Sequence, residues 1–448
     1  MNPRYVVAIV GGATAGAETA ALLAERGVVA VVFEQNTRPY GKIEDGLPRW
    51  HEKLRQKEYA TIDANLDRAG VLFVPSTKVG RDIDFRELVS DWGFTAVILA
   101  HGAWRDRRLP VEGADEYVDR GLIYQNPFIH WFNHFPEPGY DGPRYEVEDG
   151  AIVVGGGLAS IDVAKVLQIE VVRAALGRRG IEEDALRIEH AGIPAVLAEH
   201  DLGWESLGLS GATLFYRRRL EDMPLLEMPE GADASRRQKV EATRRKIIDK
   251  AMQKYLFRVQ PQRLPSELLV EGGRAAGLRF RHTRLEGGQV VVVPGAVDEV
   301  RAPLIVSSIG SVPEPMGGVP QRGELYDYVD RDLGRLRGYD TVFSTGNVVT
   351  GKGNIVASRR HSIETASHLI ERFLGLGDGD HAGEEKLLEP LTGSAAARAR
   401  EMAEWVGHRP AARPADVEAI LRRVRQRQKA IGYTTYSAWI ERFTSRGG

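Results

Sequence analysis

Val7-Ala8-Ile9-Val10-Gly11-Gly12-Ala13-Thr14-Ala15-Gly16 is the stretch that decides the fold. A short apolar run ends in a glycine-rich turn and opens an amphipathic, helix-like segment. In such a strand–turn–helix the glycines permit a tight turn and a close approach of backbone to a pyrophosphate. The helix N-terminus then presents its free N–H groups to the phosphates. The pattern recurs at Ala151-Ile152-Val153-Val154-Gly155-Gly156-Gly157-Leu158-Ala159-Ser160. One such turn is a weak signal. Two in one chain predict two dinucleotides bound side by side, and the usual pair is a flavin and a nicotinamide, brought together for hydride transfer.

The first turn is followed by a second strand-like run, Val28 to Phe33, that ends at Glu34. An acidic residue there is placed to take a ribose hydroxyl. Ala13 stands at the middle glycine position of the fingerprint and is still small. The bland alternatives are a tight strand–helix turn and a solvated carboxylate at a strand end. Much later, Ser344-Thr345-Gly346-Asn347 and Gly351-Lys352-Gly353-Asn354-Ile355 supply backbone donors where a flavin needs covering, which favours FAD over NAD in this half. An ordinary Gly/Asn loop is the competing reading.

In the second turn Gly155, Gly157 and Ser160 hold the three small positions. Where an acidic residue would select NAD, the next strand ends in Arg217-Arg218-Arg219. Guanidinium groups bind a 2′-phosphate by paired hydrogen bonds and charge, which predicts NADP(H) with NADH as the alternative. Arginine runs are also common as solvated surface.

The 448 residues have room for two or three domains. Lys and Arg number 60 against 62 Asp and Glu, a formal net charge of −2, so nothing global argues for a nucleic-acid or membrane partner. No stretch approaches the ~20 apolar residues of a membrane span. Strand-like sequence begins at Tyr5 with no basic-then-apolar leader before it, which reads as a cytoplasmic protein. The absence of cysteine excludes a disulfide framework, a dithiol redox pair and a cysteine-ligated iron–sulfur cluster. If the chain is a redox enzyme, its electrons reside on a bound organic cofactor and leave to something outside it.

Further along, residues 94–100 and 303–310 read as buried strands, and 176–211 as an insertion with helical pieces. Residues 267–300 turn to β, with antiparallel strands at 279–284 and 290–293. Residues 361–374 read as a helix, 375–381 as a linker, and the remainder as mostly helical. The fold class is α/β, with two Rossmann-like dinucleotide-binding domains, the second inserted in the first, and a C-terminal helical extension. The expected FAD-binding domain is 1–105 with 315–380, the NAD(P)-binding domain 106–314, and the extension 381–448.

In their order these motifs resemble adrenodoxin reductase and the bacterial ferredoxin–NADP reductases of that type, and more distantly the small-subunit flavoprotein of glutamate synthase. The resemblance runs through Arg38-Pro39-Tyr40-Gly41, Val79-Gly80-Arg81-Asp82-Ile83, Ala100-His101-Gly102-Ala103, the second turn and Ser307-Ser308-Ile309-Gly310 to Tyr436-Ser437-Ala438-Trp439. It implies FAD in the first domain, NADP(H) in the second, and single electrons passed to a ferredoxin-like iron–sulfur protein or another electron-transfer subunit. It places Gly11, Gly16 and Glu34 on the FAD pyrophosphate and ribose. Val79 meets the adenine, and Gly346, Gly353 and Ile355 lie along the flavin. Ala13, Ala15, Gln35, Gly41, Lys42, Ala100, His101, Gly102, Asn347 and Asn354 complete the expected FAD set. Gly155, Gly157, Leu158, Ala159 and Ser160 face the NADP pyrophosphate, and Arg217 with Arg218 its 2′-phosphate.

The chain departs from that family at several points. An Asp-His-Pro segment is replaced by Gly46-Leu47-Pro48-Arg49-Trp50-His51-Glu52, so His51 takes the histidine's place shifted by one, or Trp50 stacks near the flavin. Leu158 stands for an asparagine and Asn347 for a tryptophan. Glu227 is a loosely aligned carboxylate for the nicotinamide. Two other readings stay open: an electron-input subunit of a larger complex, and a non-catalytic nucleotide-binding protein. Residues 235–254 and the cluster from Arg422 to Lys429 are basic, and read either as solvated faces or as steering for an acidic carrier. His130 and His134 lie one helical turn apart among Phe128, Trp131, Phe132 and Phe135. No third ligand is legible, so the pair reads as packed aromatic sequence and no metal site is expected.

Overall fold

The computed structural model describes residues 4–229, 231–350, 370, 371, 373–376 and 389–444. Chain order begins with β1 (Val6–Val10), α1 (Thr14–Glu25) and β2 (Val29–Phe33). Every residue of β1 is buried, as expected of an apolar run covered on both faces of a parallel sheet. Next come α2 (Lys42–Asp45), α3 (Glu52–Leu66), β3 (Val71–Val74), α4 (Phe85–Ser90) and β4 (Ala96–Leu99). The chain then leaves through the two-residue strand β5 (Arg105–Asp106).

The excursion builds a second parallel sheet from β6 (Leu122–Tyr124), β7 (Ile152–Gly155), β8 (Thr213–Tyr216) and β9 (Arg258–Pro261). Its helices are α5 (Gln125–His134), α6 (Leu158–Gly177), α7 (Ala185–Ala191), α8 (Ile193–Glu199), α9 (Trp204–Leu207) and the basic α10 (Ala234–Tyr255). The antiparallel strands β10 (Arg263–Glu271), β11 (Arg274–Glu286) and β12 (Gln289–Arg301) follow, and Phe280 stacks on Phe215 at 4.1 Å to seat them on the sheet. The two short antiparallel strands expected here, 279–284 and 290–293, are parts of the longer β11–β12 hairpin. After β13 (Ile305–Ser308) the chain returns through β14 (Ser311–Val312), which pairs antiparallel with β5. Exit and return are thus zipped to each other.

The returning chain forms a hairpin of β15 (Gln321–Arg322) and β16 (Leu325–Tyr326), then β17 (Tyr328–Asp330), β18 (Arg335–Leu336), β19 (Val342–Ser344) and α11 (Asn347–Thr350). The large sheet has the order β17-β18-β19-β4-β1-β2-β3, and the second β6-β13-β7-β8-β9. Both place the glycine-turn strand between its successor and a later crossover strand. That is the switch point at which nucleotides bind in doubly wound sheets.

The C-terminal segment is helical at Glu389–Gly407, Pro414–Ala430 and Tyr436–Thr444. Met402, Val406, Tyr436 and Trp439 pack with Val7 and Ile9 on one face of the large sheet. Val417, Ile420 and Val424 pack with Val6, Val10 and Phe85 on the other. The extension therefore grips the first sheet from both sides. Among the described residues no helix is long and apolar enough to cross a membrane.

Candidate functional site

The carboxyl ends of β1, β2 and β4 open into a cavity lined by Gly11, Ala13, Ala15, Glu34, Gln35, Gly41, Lys42, Val79, Ala100, His101, Gly102 and Asn347. These twelve were all expected at one site from sequence, and the fold brings them together. Gly11 has φ +101°, and a Cβ there would lie 2.6 Å from the His101 Cα. A Cβ on Gly16 would lie 1.9 Å from the Gly11 carbonyl oxygen. Gly16 is therefore required for helix-to-turn packing rather than for contact with a ligand. Helix α1 has Ala13 at its N-cap with no side-chain cap, so its first N–H groups are left for an anion.

Glu34 closes the base of the cavity. Its Oε2 accepts from the Gly12 N–H at 2.7 Å and its Oε1 from the Asn36 N–H at 2.8 Å. Burial outweighs these bonds and pushes its carboxyl up from the ordinary 4.5 to about 7. Its remaining lone pairs suit paired hydroxyl donors. His101 is held neutral by burial, its value pulled down to about 4. The Tyr326 hydroxyl donates to the Glu314 carbonyl at 2.6 Å, so His101 Nε2–H donates to the Tyr326 oxygen at 3.0 Å. That assignment leaves Nδ1 as an acceptor, and it is buried with no partner among the described residues. A ligand with hydroxyl donors fits this wall.

At the other end Lys42 Nζ donates to Asn126 Oδ1 and Ser311 Oγ, both at 3.1 Å. Asn126 sits on α5 and Ser311 on β14, so the cavity ends against the inserted unit. Burial lowers the Lys42 ammonium and raises its neighbour Asp106, each opposed by the charge of the other. Gly346, with φ +72°, lies where a Cβ would come within 2.8 Å of the Ala15 Cβ. The late glycine turn is thus packed onto the first turn of α1. Gly353, Asn354 and Ile355 fall outside the described residues, as does most of the helix expected at 361–374.

Several lining residues were not singled out as ligands from sequence: Trp104, Thr77, Lys78 and the segment Glu314-Pro315-Met316-Gly317. Trp104 directly follows the quoted Ala100–Ala103 motif, so its position carried a signal. The 314–317 segment reaches the wall only because the chain returns through β14.

The catalytic expectations fare differently. Trp50 and His51 do not line the cavity. His51 is fully buried and stacks on Phe373 at 4.2 Å, and Trp50 Nε1 donates to His51 Nε2 at 3.1 Å. Trp50 also packs on Phe132 and carries Lys165 Nζ at 4.5 Å from its ring centroid. The apolar run around them is recruited to the core under α6, which corrects the expectation that either one stands at the flavin. Glu227 is half-buried in the segment before α10 and is likewise not a lining residue.

The second turn is equally tight. A Cβ on Gly155 would lie 2.5 Å from the Ser308 carbonyl oxygen, and one on Gly156 2.2 Å from the Tyr216 ring. Ser160 is buried and its Oγ donates to the Gly157 carbonyl at 2.6 Å, so it serves close helix–strand packing. Gly157 has open space at its Cβ position, Leu158 is buried and Ala159 is exposed. Helix α6 begins there with no side-chain cap. At the end of β8, Arg219 is neutralised by a two-pronged contact to Asp222, both bonds 2.9 Å. Arg217 and Arg218 carry no carboxylate partner among the described residues. Their backbones are fixed, the Arg217 carbonyl accepting from Thr283 Oγ1 and the Arg218 carbonyl from the Gln262 N–H.

No family model matches the chain. It is 29% identical over 389 residues to the NADPH:adrenodoxin oxidoreductase of Bos taurus, covering 79% of this chain and 75% of that protein. It is 31% identical over 169 residues to the small chain of the NADPH glutamate synthase of Mycobacterium tuberculosis, covering 35% of this chain and 32% of that one. Mycobacterium tuberculosis FprA in complex with NADPH shares the fold, with a TM-score of 0.58 at 20% identity, over 93% of this chain and 99% of that structure. The expected resemblance to adrenodoxin reductase and the doubly wound fold class are both borne out. The chain is similar to the NADPH:adrenodoxin oxidoreductases over most of its length.

Proposed function

We propose that this chain is an FAD-dependent NADPH oxidoreductase that passes single electrons to a ferredoxin-like iron–sulfur carrier. The observation that carries the reading is the paired construction. One glycine turn is backed by a buried carboxylate, and a second is backed by two arginines without carboxylate partners among the described residues. Homology to NADPH:adrenodoxin oxidoreductases over three-quarters of their length supports the same pairing.

FAD, when bound, supplies both hydride acceptance and one-electron release, which no side chain of this chain provides. The residues do the rest. The first N–H groups of α1 take the pyrophosphate, Glu34 the ribose hydroxyls, and His101 Nδ1 a further hydroxyl or water. Lys42, fixed by Asn126 and Ser311, places its ammonium at the end of the cavity that meets the inserted unit. In the second unit the start of α6 takes the NADP pyrophosphate, and Arg217 and Arg218 take the 2′-phosphate by charge-assisted bonds. Gly157 has room for close approach of that ligand. No side chain is required as a strong general base, because the hydride chemistry would be supplied by the bound cofactors.

The reading is tested by loading the purified chain with FAD and following NADPH-driven reduction of a [2Fe–2S] ferredoxin. Turnover that needs both FAD and ferredoxin supports it. A chain that takes no flavin under renaturing or native loading sinks it.

A further inference from the structure

Helix α5 carries a feature that the proposed reaction does not use. His130 and His134, four residues apart, share one face of the helix, with ring centroids 4.5 Å apart. A third group comes from a different element. Asp45, the last residue of α2, places Oδ1 3.0 Å from His134 Nε2 and 3.9 Å from His130 Nε2. One ligand atom from each residue lies within 4.8 Å of the others. Two imidazole nitrogens and a carboxylate oxygen bound at about 2.0–2.1 Å to a tetrahedral ion would be separated by about 3.3 Å. The cluster is therefore within a small side-chain adjustment of coordination geometry. Its third ligand was invisible in the sequence because Asp45 is 85 positions away from His130.

The surroundings fit as well. His134 Nδ1 is held by Glu137 Oε1 at 2.8 Å, which directs Nε2 toward the cluster. A carboxylate behind a ligating histidine is the usual means of fixing ring orientation and tautomer. The frame does not depend on an ion: Asn133 Nδ2 donates to the Glu44 and Leu47 carbonyls at 2.9 and 2.8 Å and pins α2 to α5. The side chain of His130 is 45% exposed, so water reaches the remaining position.

We propose that Asp45, His130 and His134 form a binding site for a divalent first-row transition ion of the zinc type, completed by water, that clamps α2 to α5. Two imidazoles with one carboxylate select zinc, cobalt, nickel or copper over magnesium and calcium. Because α2 contributes Lys42 and Ile43 to the cavity wall, an ion here ties that wall to the inserted unit. The site needs neither flavin nor NADPH, so its fate is separable from the proposed activity.

The test is calorimetric titration of the tag-free full chain with zinc chloride after chelator treatment, with magnesium chloride as a control. Wild type is compared with His130→Ala, a half-exposed position that leaves the Asn133 frame intact, and with Asp45→Asn. The expected result is one zinc per chain, with affinity falling at least about tenfold in each variant. A zinc-dependent rise in Tm should appear in wild type and be lost in both variants. The absence of one-to-one binding in wild type overturns the proposal. So does binding or a Tm rise that survives both substitutions, because the zinc then sits elsewhere.

Discussion

Glu34 makes the sharpest residue-scale statement. Its folded value, about 7, lies above the ordinary 4.5, so the flavin-free folded state holds the extra proton. Stability contributed by Glu34 is therefore full below about 4.5 and falls as pH rises toward 7. Ribose hydroxyls donating to the carboxylate favour its ionised form. FAD affinity should accordingly rise with pH up to about 7 and then level off, as fluorescence titration across that range will show. Glu34→Gln should bind about ten- to a hundredfold more weakly, the loss of a bond of about 1.5–3 kcal/mol to a charged group, and with no pH dependence. The arginines give a second prediction. Arg217→Ala with Arg218→Ala should raise KM for NADPH far more than for NADH, and an equal loss for both would remove the 2′-phosphate assignment. Lys165 is a third case. It is fully buried on Glu189 at 2.8 Å, with Asp162 at 3.6 Å. Lys165→Met takes the buried cation away from both carboxylates, leaving Glu189 the Tyr255 hydroxyl at 3.0 Å, and should cost about 3–5 kcal/mol in denaturant unfolding. Glu34 and the arginines were legible because each stands at a fixed distance from a glycine turn. The Lys165 pairing with Glu189 and the recruitment of Trp50 and His51 to the core beneath it were not, since both depend on packing between distant segments.

At the scale of elements, the two strand–turn–helix units are similar in sequence but their glycines carry different loads. Gly16→Ala drives a methyl group into the Gly11 carbonyl and should lower Tm and abolish flavin retention. Gly157→Ala meets open space at a φ of −92°, which any residue adopts, so thermal unfolding should move little. Its effect should fall on NADPH affinity, because the added methyl projects where the pyrophosphate approaches. The comparison separates a folding glycine from a ligand-facing one. Strands and helices of both units were readable because apolar runs of strand length end in glycine and pass into helical periodicity. The β5–β14 ladder was not readable: each strand has two residues, and its pairing spans the whole inserted unit. That ladder is also why the 314–317 segment arrives at the cavity wall unannounced.

On the scale of the whole molecule, the C-terminal helices are part of the first unit rather than an appendage. Val417, Ile420, Val424, Tyr436 and Trp439 are buried, and at about 1.5–3 kcal/mol each their burial rivals the net stability of a whole domain. A polar contact reaches the cavity wall itself, Arg427 Nε donating to Thr77 Oγ1 at 3.0 Å, and Gln428 Nε2 donates to the Phe73 carbonyl in β3 at 2.9 Å. A chain ending before Pro414 should therefore lose cooperative unfolding and flavin together, seen by calorimetry and by flavin fluorescence after gel filtration. Sequence periodicity showed that this region is helical but not which faces it covers, because amphipathic helices do not declare their partners.

The central expectation is that NADPH on the second unit reduces a flavin held by the first. It is tested most directly by mixing the FAD-loaded chain anaerobically with NADPH or NADH and following the flavin band near about 450 nm by stopped flow. Rapid bleaching by NADPH and markedly slower bleaching by NADH are expected. A correctly bound flavin that neither nucleotide bleaches would contradict it.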